Sequence, residues 1–148
     1  MPEPQEQLQV NGIDLTLRSI SVLQNSGKMA VKNRQRVISD LSPLVFDGLG
    51  FIHLNPGIYS IIFNEIIHLP KDLMAFATPR SSLLRCGVTV NTAVWDAGYS
   101  GRSESLLVVY HPQGFCLQKN ARVIQLVFLR MTDKTRGYNG IYQGENID

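Results

Sequence analysis

The chain has 148 residues, close to the commonest domain size, so a single domain with its own hydrophobic core is expected. Hydrophobic residues make up 44% of the chain and charged residues 18%, which excludes a disordered chain. The net charge of +2, from 14 basic and 12 acidic residues, argues against a dedicated nucleic-acid surface, whereas a small anion needs only a few well-placed cations.

The first half of the chain predicts short strands separated by turns. The start, Met1 to Gln9, is polar and is not expected to be a signal peptide. Apolar and polar residues alternate from Ile13 to Arg18, which predicts a strand with one apolar face. Residues 26–40 are polar and basic and predict an exposed hairpin or loop. The turn signal Asn55–Gly57 precedes a second strand over Ile58–Ile67, which is rich in β-branched and aromatic residues.

The second half continues the same pattern, with one short helix. That helix is predicted over Ser82–Arg85, with Ser81 as its N-cap. A connection with two glycines, similar to a hairpin turn, is predicted over Asp96–Gly101. Many short strands at a spacing near ten residues predict a sandwich or a barrel. The further strands are expected over Leu73–Ala77, Val88–Trp95, Leu106–Tyr110 and Val123–Met131.

The cysteines and the lengths of the apolar runs indicate the compartment in which the protein is expected. Cys86 and Cys116 have no metal-ligand spacing, and both are expected to be buried and reduced. No apolar stretch approaches the length of a membrane span. We therefore expect a soluble, cytoplasmic domain.

Polar residues at the ends of the predicted strands are the candidates for chemistry. Residues 78–82 lie where a strand meets the short helix, and they could bind an anion or simply cap the helix. Asp96 could be a general base or the first residue of a turn. Tyr99 could stack on a ligand or cover the turn, and Arg122 and Gln125 could be ordinary edge residues.

The order of these residues resembles the motifs of the trimeric deoxyuridine triphosphatase and deoxycytidine triphosphate deaminase superfamily. The resemblance runs from about Asn11 to Gly144, and its most specific part is Pro79 to Gly101. The matching motifs are Asp14-x-x-x-Arg18, Pro79-Arg80-Ser81-Ser82-Leu83-x-Arg85-x-Gly87, Asp96-x-Gly98-Tyr99-x-Gly101, Arg122-x-x-Gln125 and the tail Tyr142-Gln143-Gly144.

The resemblance implies a jelly-roll-type β-barrel that forms a homotrimer with active sites between subunits. Residues 1–134 would form the barrel and residues 135–148 a flexible tail able to close over the site. The substrate would be a deoxyribonucleoside triphosphate, the cofactor Mg²⁺, and no nucleic acid or membrane would be a partner. Asp96 would orient or deprotonate the attacking water, and Asp14 would serve the magnesium–phosphate environment indirectly, through water.

The same resemblance implies the substrate-binding residues. Tyr99 would pack under the deoxyribose and exclude a ribose 2′-hydroxyl, while the backbone of residues 91–93 would read the pyrimidine edge. The full set is Arg80, Ser81, Ser82, Arg85, Asn91, Thr92, Ala93, Tyr99, Gln125, Tyr142 and Gln143.

Two activities share this barrel, and one position separates them. Deaminases of the superfamily carry a glutamate about ten residues after the aspartate, where this chain has Leu106 by direct count or Val108 with an insertion. Neither side chain can move a proton, so we expect hydrolysis of dUTP to dUMP and pyrophosphate. Two alternatives stay open: a deaminase or bifunctional enzyme that uses Glu104, and a nucleotide-binding regulatory module without turnover. The basic segment Lys28–Arg36 has no assigned role beyond surface exposure.

Overall fold

The structure is a computed structural model that describes residues 4–147. Residues 1–3 and 148, at the outer ends of the expected domain and tail, lie outside the described residues. The described chain forms two short α-helices, one 3₁₀ helix (Asn33–Gln35) and twelve strands. The α-helices and strands are α1 (Pro4–Gln7), β1 (Leu8–Gln9), β2 (Gly12–Leu23), β3 (Leu41–Pro43), β4 (Phe51–Leu54), β5 (Gly57–Phe63), β6 (Ile67–His68), β7 (Leu73–Pro79), α2 (Ser81–Arg85), β8 (Val88–Asn91), β9 (Ser100–Gly101), β10 (Glu104–Val109), β11 (Phe115–Gln118) and β12 (Arg122–Arg130).

One long strand organises the barrel. The first half of β2 pairs with β12 and its second half pairs with β5, and the register with β5 shifts around Arg18. The resulting strand order is β7-β12-β2-β5-β10-β8, and every pairing is antiparallel. Trp95, beyond the end of β8, forms a bridge with Ala75 of β7. This bridge brings the two ends of the strand order together, so the sheet curls into a nearly closed all-β barrel.

Apolar side chains of the central strands fill the barrel. Their burial supplies most of the stabilising free energy, because it removes apolar surface from water. Leu83 of α2 is also buried, and it ties this one-and-a-half-turn helix to the core. The fully buried side chains include Leu15, Leu17, Ile20, Ile61, Phe63, Leu107, Ile124 and Leu126.

The strongest apolar runs form the strands that the sequence predicts, whereas several boundaries differ. The all-β prediction is confirmed, although two short α-helices are present rather than one. Helix α2 begins at Ser81, and Arg80 is its cap residue with no side-chain capping bond, so the assignment of Ser81 as N-cap is wrong. Strand β8 ends at Asn91 rather than at Trp95 because the chain leaves β10 there and crosses to β7.

The expectation of buried cysteines is wrong, and the polar side of β2 is partly buried. Asp14 and Thr16, on the polar side of the alternating pattern, are buried because the N-terminal helix and neighbouring side chains cover that face. Cys86 and Cys116 are exposed rather than buried, at the end of α2 and on β11. Within residues 4–147, no helix has the length and apolar character that crossing a bilayer requires.

Candidate functional site

A cavity of about 520 Å³ opens beside the chain segment that links β8 to β10. Asn91, Ala93, Asp96 and Tyr99 line it from this segment. Ser60 of β5 and the start of β10 form the adjoining wall, and the C-terminal segment covers part of the opening. The tail contributes Tyr138, Tyr142 and Glu145.

The backbone around Asp96 is held on both sides. Trp95 exchanges two backbone hydrogen bonds with Ala75, of 2.8 and 3.0 Å, and its indole Nε1 donates to Ser103 Oγ at 3.0 Å. Immediately after this anchor, the Tyr99 amide donates to the Asp96 carbonyl at 3.0 Å and closes a turn. Asp96 therefore starts a turn, as one of its two interpretations predicts, and it presents an exposed carboxylate at the cavity wall. Its role as a general base stays a prediction.

The turn requires glycine at its third position. Gly98 has φ +84°, which L-residues rarely adopt. A Cβ atom at Gly98 would also lie 2.8 Å from the Cα of Gly137 in the tail. Gly98 thus lets the tail backbone pack directly on the turn that carries Asp96.

Tyr99 forms the buried floor beside that turn. Its hydroxyl donates to Glu145 Oε1 at 2.8 Å, and its ring meets the ring of Tyr138 edge-to-face at 5.8 Å. Burial, and then the hydrogen bond to Glu145, raise the pKa of Tyr99. A Cβ atom at Gly101 would lie 2.6 Å from the Tyr99 hydroxyl, so the position of the ring depends on this second glycine.

The tail is attached to the cavity mainly through backbone groups. The Tyr138 amide donates to the Ala97 carbonyl at 2.8 Å and the Gly144 amide to the Ser100 carbonyl at 2.7 Å. Gln143 accepts from the Ser100 amide and donates to the Gly98 carbonyl. The tail segment that was expected to close over the site therefore lies against it in this structure.

Two further carboxylates face the same cavity. Glu104, on the first position of β10, accepts a 2.6 Å hydrogen bond from Ser60 Oγ. Burial is the main factor that raises the pKa of Glu145, and the charge of Glu104 raises it further. Leu106, two residues along β10, lines the same wall.

A second group of predicted residues lies on another part of the barrel. Asp14 on β2 is 2% exposed and accepts ion pairs from Arg80 Nε at 3.1 Å and Arg122 Nη1 at 3.7 Å. Burial raises the pKa of Asp14, and the two arginines oppose that shift. Gln125 stands directly opposite Asp14 in the antiparallel pair of β12 and β2, so their side chains share one face. We call this group the arginine cluster.

Helix α2 begins next to the arginine cluster. Ser81 and Ser82 are exposed at its first turn, and the Arg85 guanidinium donates to the Ser81 carbonyl at 3.1 Å. The Arg80 amide donates to the Val123 carbonyl, which fixes the start of the helix against β12. This segment therefore presents exposed hydroxyl groups and guanidinium groups side by side.

The structure divides the predicted site residues into these two groups. Asn91, Ala93, Asp96, Tyr99 and Tyr142 line the cavity, whereas Thr92 and Gln143 adjoin it without lining it. The other predicted residues, Asp14, Arg80, Ser81, Ser82, Arg85 and Gln125, lie outside the cavity lining.

Sequence reasoning missed several lining residues. Ser60, Ser103 and Tyr138 carried no motif signal, because each lies in an ordinary strand or loop context. Arg122 belongs to the predicted motif Arg122-x-x-Gln125, although it is not among the predicted substrate-binding residues.

The comparisons with known proteins decide the family. A family model described as dCTP deaminase-like matches residues 2–131, which is most of the chain. The chain belongs to the dCTP deaminase-like family. The superfamily predicted from the motifs is therefore confirmed.

Two relatives of this dCTP deaminase-like chain are named as nucleotidohydrolases. It is 52% identical over 147 residues to a protein of Methanosarcina mazei named probable deoxyuridine 5'-triphosphate nucleotidohydrolase, covering 99% of this chain and 86% of that one. It is 36% identical to the deoxyuridine 5'-triphosphate nucleotidohydrolase of Methanocaldococcus jannaschii, covering 95% of this chain and 89% of the relative.

A solved structure shows the same fold. The 2'-deoxycytidine 5'-triphosphate deaminase from Agrobacterium tumefaciens superimposes with a TM-score of 0.62 at 21% identity. The match covers 86% of this chain, and this chain spans 42% of that one. At this identity the likeness establishes the barrel fold that the two proteins share.

Proposed function

We propose that this chain is a dUTP diphosphatase, a hydrolase that converts dUTP to dUMP and pyrophosphate. The observation that carries the proposal is the exposed carboxylate of Asp96, held at the cavity wall next to the buried ring of Tyr99. The names of relatives that are 36–52% identical over nearly the whole chain support the same activity.

Asp96 is the catalytic residue in this proposal. An exposed carboxylate can accept a hydrogen bond from a water molecule and take its proton as the water attacks phosphorus, with pyrophosphate as the leaving group. The double backbone pairing of Trp95 with Ala75 fixes the backbone from which the Asp96 side chain extends, which favours a defined line of attack. Tyr99 offers an apolar ring to the deoxyribose, and the backbone of residues 91–93 offers polar groups to the pyrimidine edge.

The arginine cluster is proposed to bind phosphate. Arginine forms paired hydrogen bonds with phosphate oxygens, and the exposed hydroxyls of Ser81 and Ser82 add donors. Because Arg80, Ser81, Ser82, Arg85 and Gln125 lie outside the cavity lining, we propose that a second copy of the chain brings its cluster to the cavity. A homotrimer of jelly-roll barrels with sites between subunits satisfies this requirement.

Asp14 was predicted to serve the magnesium–phosphate environment indirectly, through water, and that role stays a prediction. The Asp14 carboxylate is buried between two guanidinium groups, which disfavour a further cation. Among the residues that the structure describes, no group of three metal-ligating side chains is present. A role for Mg²⁺ therefore stays a proposal in which substrate phosphate oxygens would hold the ion.

The exposed thiols of Cys86 and Cys116 are free, which suits a reducing compartment. We propose the cytoplasm as the location of the enzyme.

Glu104 supports a second candidate function, deamination of dCTP. Its carboxylate lines the same cavity as Asp96 and accepts a hydrogen bond from Ser60. A carboxylate in that place can shuttle a proton while water attacks C4 of cytosine. Leu106 and Val108, the two positions counted for the deaminase glutamate, supply no proton, so Glu104 would have to act from an earlier position on β10 that faces the cavity.

Product analysis separates the two activities. The purified protein is incubated with Mg²⁺ and either dUTP or dCTP, and nucleotides, pyrophosphate and ammonia are measured. We expect dUTP to give dUMP and pyrophosphate while dCTP stays intact. Ammonia release from dCTP that is lost in Glu104→Gln would establish deamination, and intact dUTP would overturn the diphosphatase proposal.

A further inference from the structure

The walls of the cavity carry negative charge. Asp96, Glu104 and Glu145 line it, and the described lining contains no lysine, arginine or histidine. A nucleoside triphosphate is itself a polyanion, so this lining supplies no countercharge for it. Cations that bind the triphosphate must therefore come from outside this lining.

A basic loop is placed at the cavity rim. We call residues 26–39 the basic arm, because the segment carries Lys28, Lys32, Arg34 and Arg36 and no acidic residue. Its base is closed by two hydrogen bonds between Asn25 and Asp40, of 2.6 and 2.8 Å. A two-way backbone bridge between Lys28 and Val37, of 2.8 and 2.9 Å, shapes it as a hairpin.

The basic arm contacts the cavity at two places. Ile38 lines the cavity together with Leu23, which precedes the arm. The Arg36 guanidinium lies 5.8 Å from the ring centroid of Tyr142, another lining residue. Within the part of the chain that the structure describes, none of the four basic residues forms an ion pair. Their charge is therefore available beside an acidic cavity.

We propose that the basic arm binds the polyphosphate of the nucleotide, with Arg36 as the contact nearest the cavity and Arg34 and Lys32 behind it. A cation–π contact at an exposed site is weaker than paired, charge-assisted hydrogen bonds to phosphate. Arg36 can therefore exchange the Tyr142 ring for phosphate oxygens when the nucleotide binds. The arm would add to the charge of the arginine cluster from within the chain that forms the cavity. This inference rests on the proposed nucleotide site and assigns a role to residues outside its motifs.

Steady-state kinetics with dUTP test the arm. Arg36→Gln shortens the side chain, keeps it polar and removes its charge. Lys119→Gln, in the exposed turn before β12, is the control that removes the same charge. We expect Arg36→Gln to raise KM by about tenfold with kcat within about twofold of the wild type, which corresponds to one charge-assisted contact made equally in ground and transition states. Competitive inhibition by deoxyuridine, which has no phosphate, should not change in either variant.

The outcomes that overturn the inference are distinct. An unchanged KM in the triple variant Lys32→Gln, Arg34→Gln, Arg36→Gln removes the phosphate role. Equal weakening of dUTP and deoxyuridine shows that Arg36 only shapes the cavity. Loss of single-stranded oligonucleotide binding in Arg36→Gln, with nucleotide affinity intact, makes the arm a nucleic-acid surface instead.

Calorimetry separates this inference from the proposed function. The ligands are the non-hydrolysable analogue α,β-imido-dUTP and inorganic tripolyphosphate, each titrated into wild type, Arg36→Gln and Lys119→Gln. If the protein does not hydrolyse dUTP but Arg36→Gln alone weakens binding of these ligands by about tenfold, the arm is supported and the diphosphatase activity is not. Failure of the wild type to bind either ligand overturns the inference.

Discussion

Replacing Gly98 by alanine should detach the tail from the turn that carries Asp96. The added Cβ would lie 2.8 Å from the Gly137 Cα, about 1 Å inside ordinary carbon–carbon contact. Alanine at φ +84° costs about 1 kcal/mol by itself. Moving the tail backbone also breaks the 2.8 Å hydrogen bond from the Tyr138 amide to the Ala97 carbonyl, worth about 1 kcal/mol. We expect a total loss of about 2–3 kcal/mol once the contact itself is counted.

Gly50 provides the matched control. Its φ of +79° imposes the same backbone strain, but a Cβ there would meet nothing nearer than the Gln118 Cγ at 3.9 Å. Gly50→Ala should therefore lose about 1 kcal/mol, or about 2–4 °C in Tm, and leave the tail in place. Urea denaturation gives the stability difference, and hydrogen exchange at the Tyr138 and Gly144 amides reports the tail. Equal Tm values and equal amide protection in the two variants would refute the packing argument.

Two further predictions concern the partly buried carboxylate of Glu145 and the buried carboxylate of Asp14. Because the folded pKa of Glu145 lies above its unfolded value, tail docking is strongest below the unfolded value of 4.5 and weakens as pH rises through the raised folded pKa. Hydrogen exchange of the tail amides in the wild type should therefore speed up from pH 4 to pH 7 by more than the intrinsic rate increase. In Glu145→Gln it should follow the intrinsic increase alone. The same extra increase in both proteins would contradict this prediction. Asp14→Asn should cost less than about 1 kcal/mol in urea denaturation, because burial outweighs the two arginines and the charge gives no net stabilisation. A loss of about 3 kcal/mol would show that the Asp14 ion pairs stabilise the fold.

The barrel strands could be predicted where apolar runs are long. Strand β5 buries four of its seven residues, and strand β12 buries Val123, Ile124 and Leu126; both lie in apolar runs that the sequence shows directly. The β4–β11 ribbon was missed, because each strand has four residues and its exposed positions carry His53 and Cys116. Such short, half-polar segments have the composition of loops.

The candidate site could be predicted only in part, for a different reason. Asp96 and Tyr99 belong to a motif that names residue types at fixed spacing, so the sequence carried the signal. The tail is held by the backbone carbonyls of Ala97, Ser100 and Gly98. Because any residue type can supply a backbone carbonyl, these bonds cannot be predicted from a sequence motif. The separation of Asp14 and Arg80 from the cavity depends on how β2 crosses between strand partners, which a linear pattern does not show.

The measurement that tests the central claim most directly is binding and turnover of dUTP in Asp96→Asn. Asparagine preserves size and hydrogen bonding but cannot accept the proton of water, so kcat should fall by about 10²–10⁴-fold. Affinity for α,β-imido-dUTP should stay within about twofold of the wild type, because Asp96 acts on the water rather than holding the nucleotide. Asp133→Asn, an exposed aspartate outside the cavity lining, should change neither quantity. Turnover that persists in Asp96→Asn at the wild-type rate would contradict the assignment of Asp96 as the base.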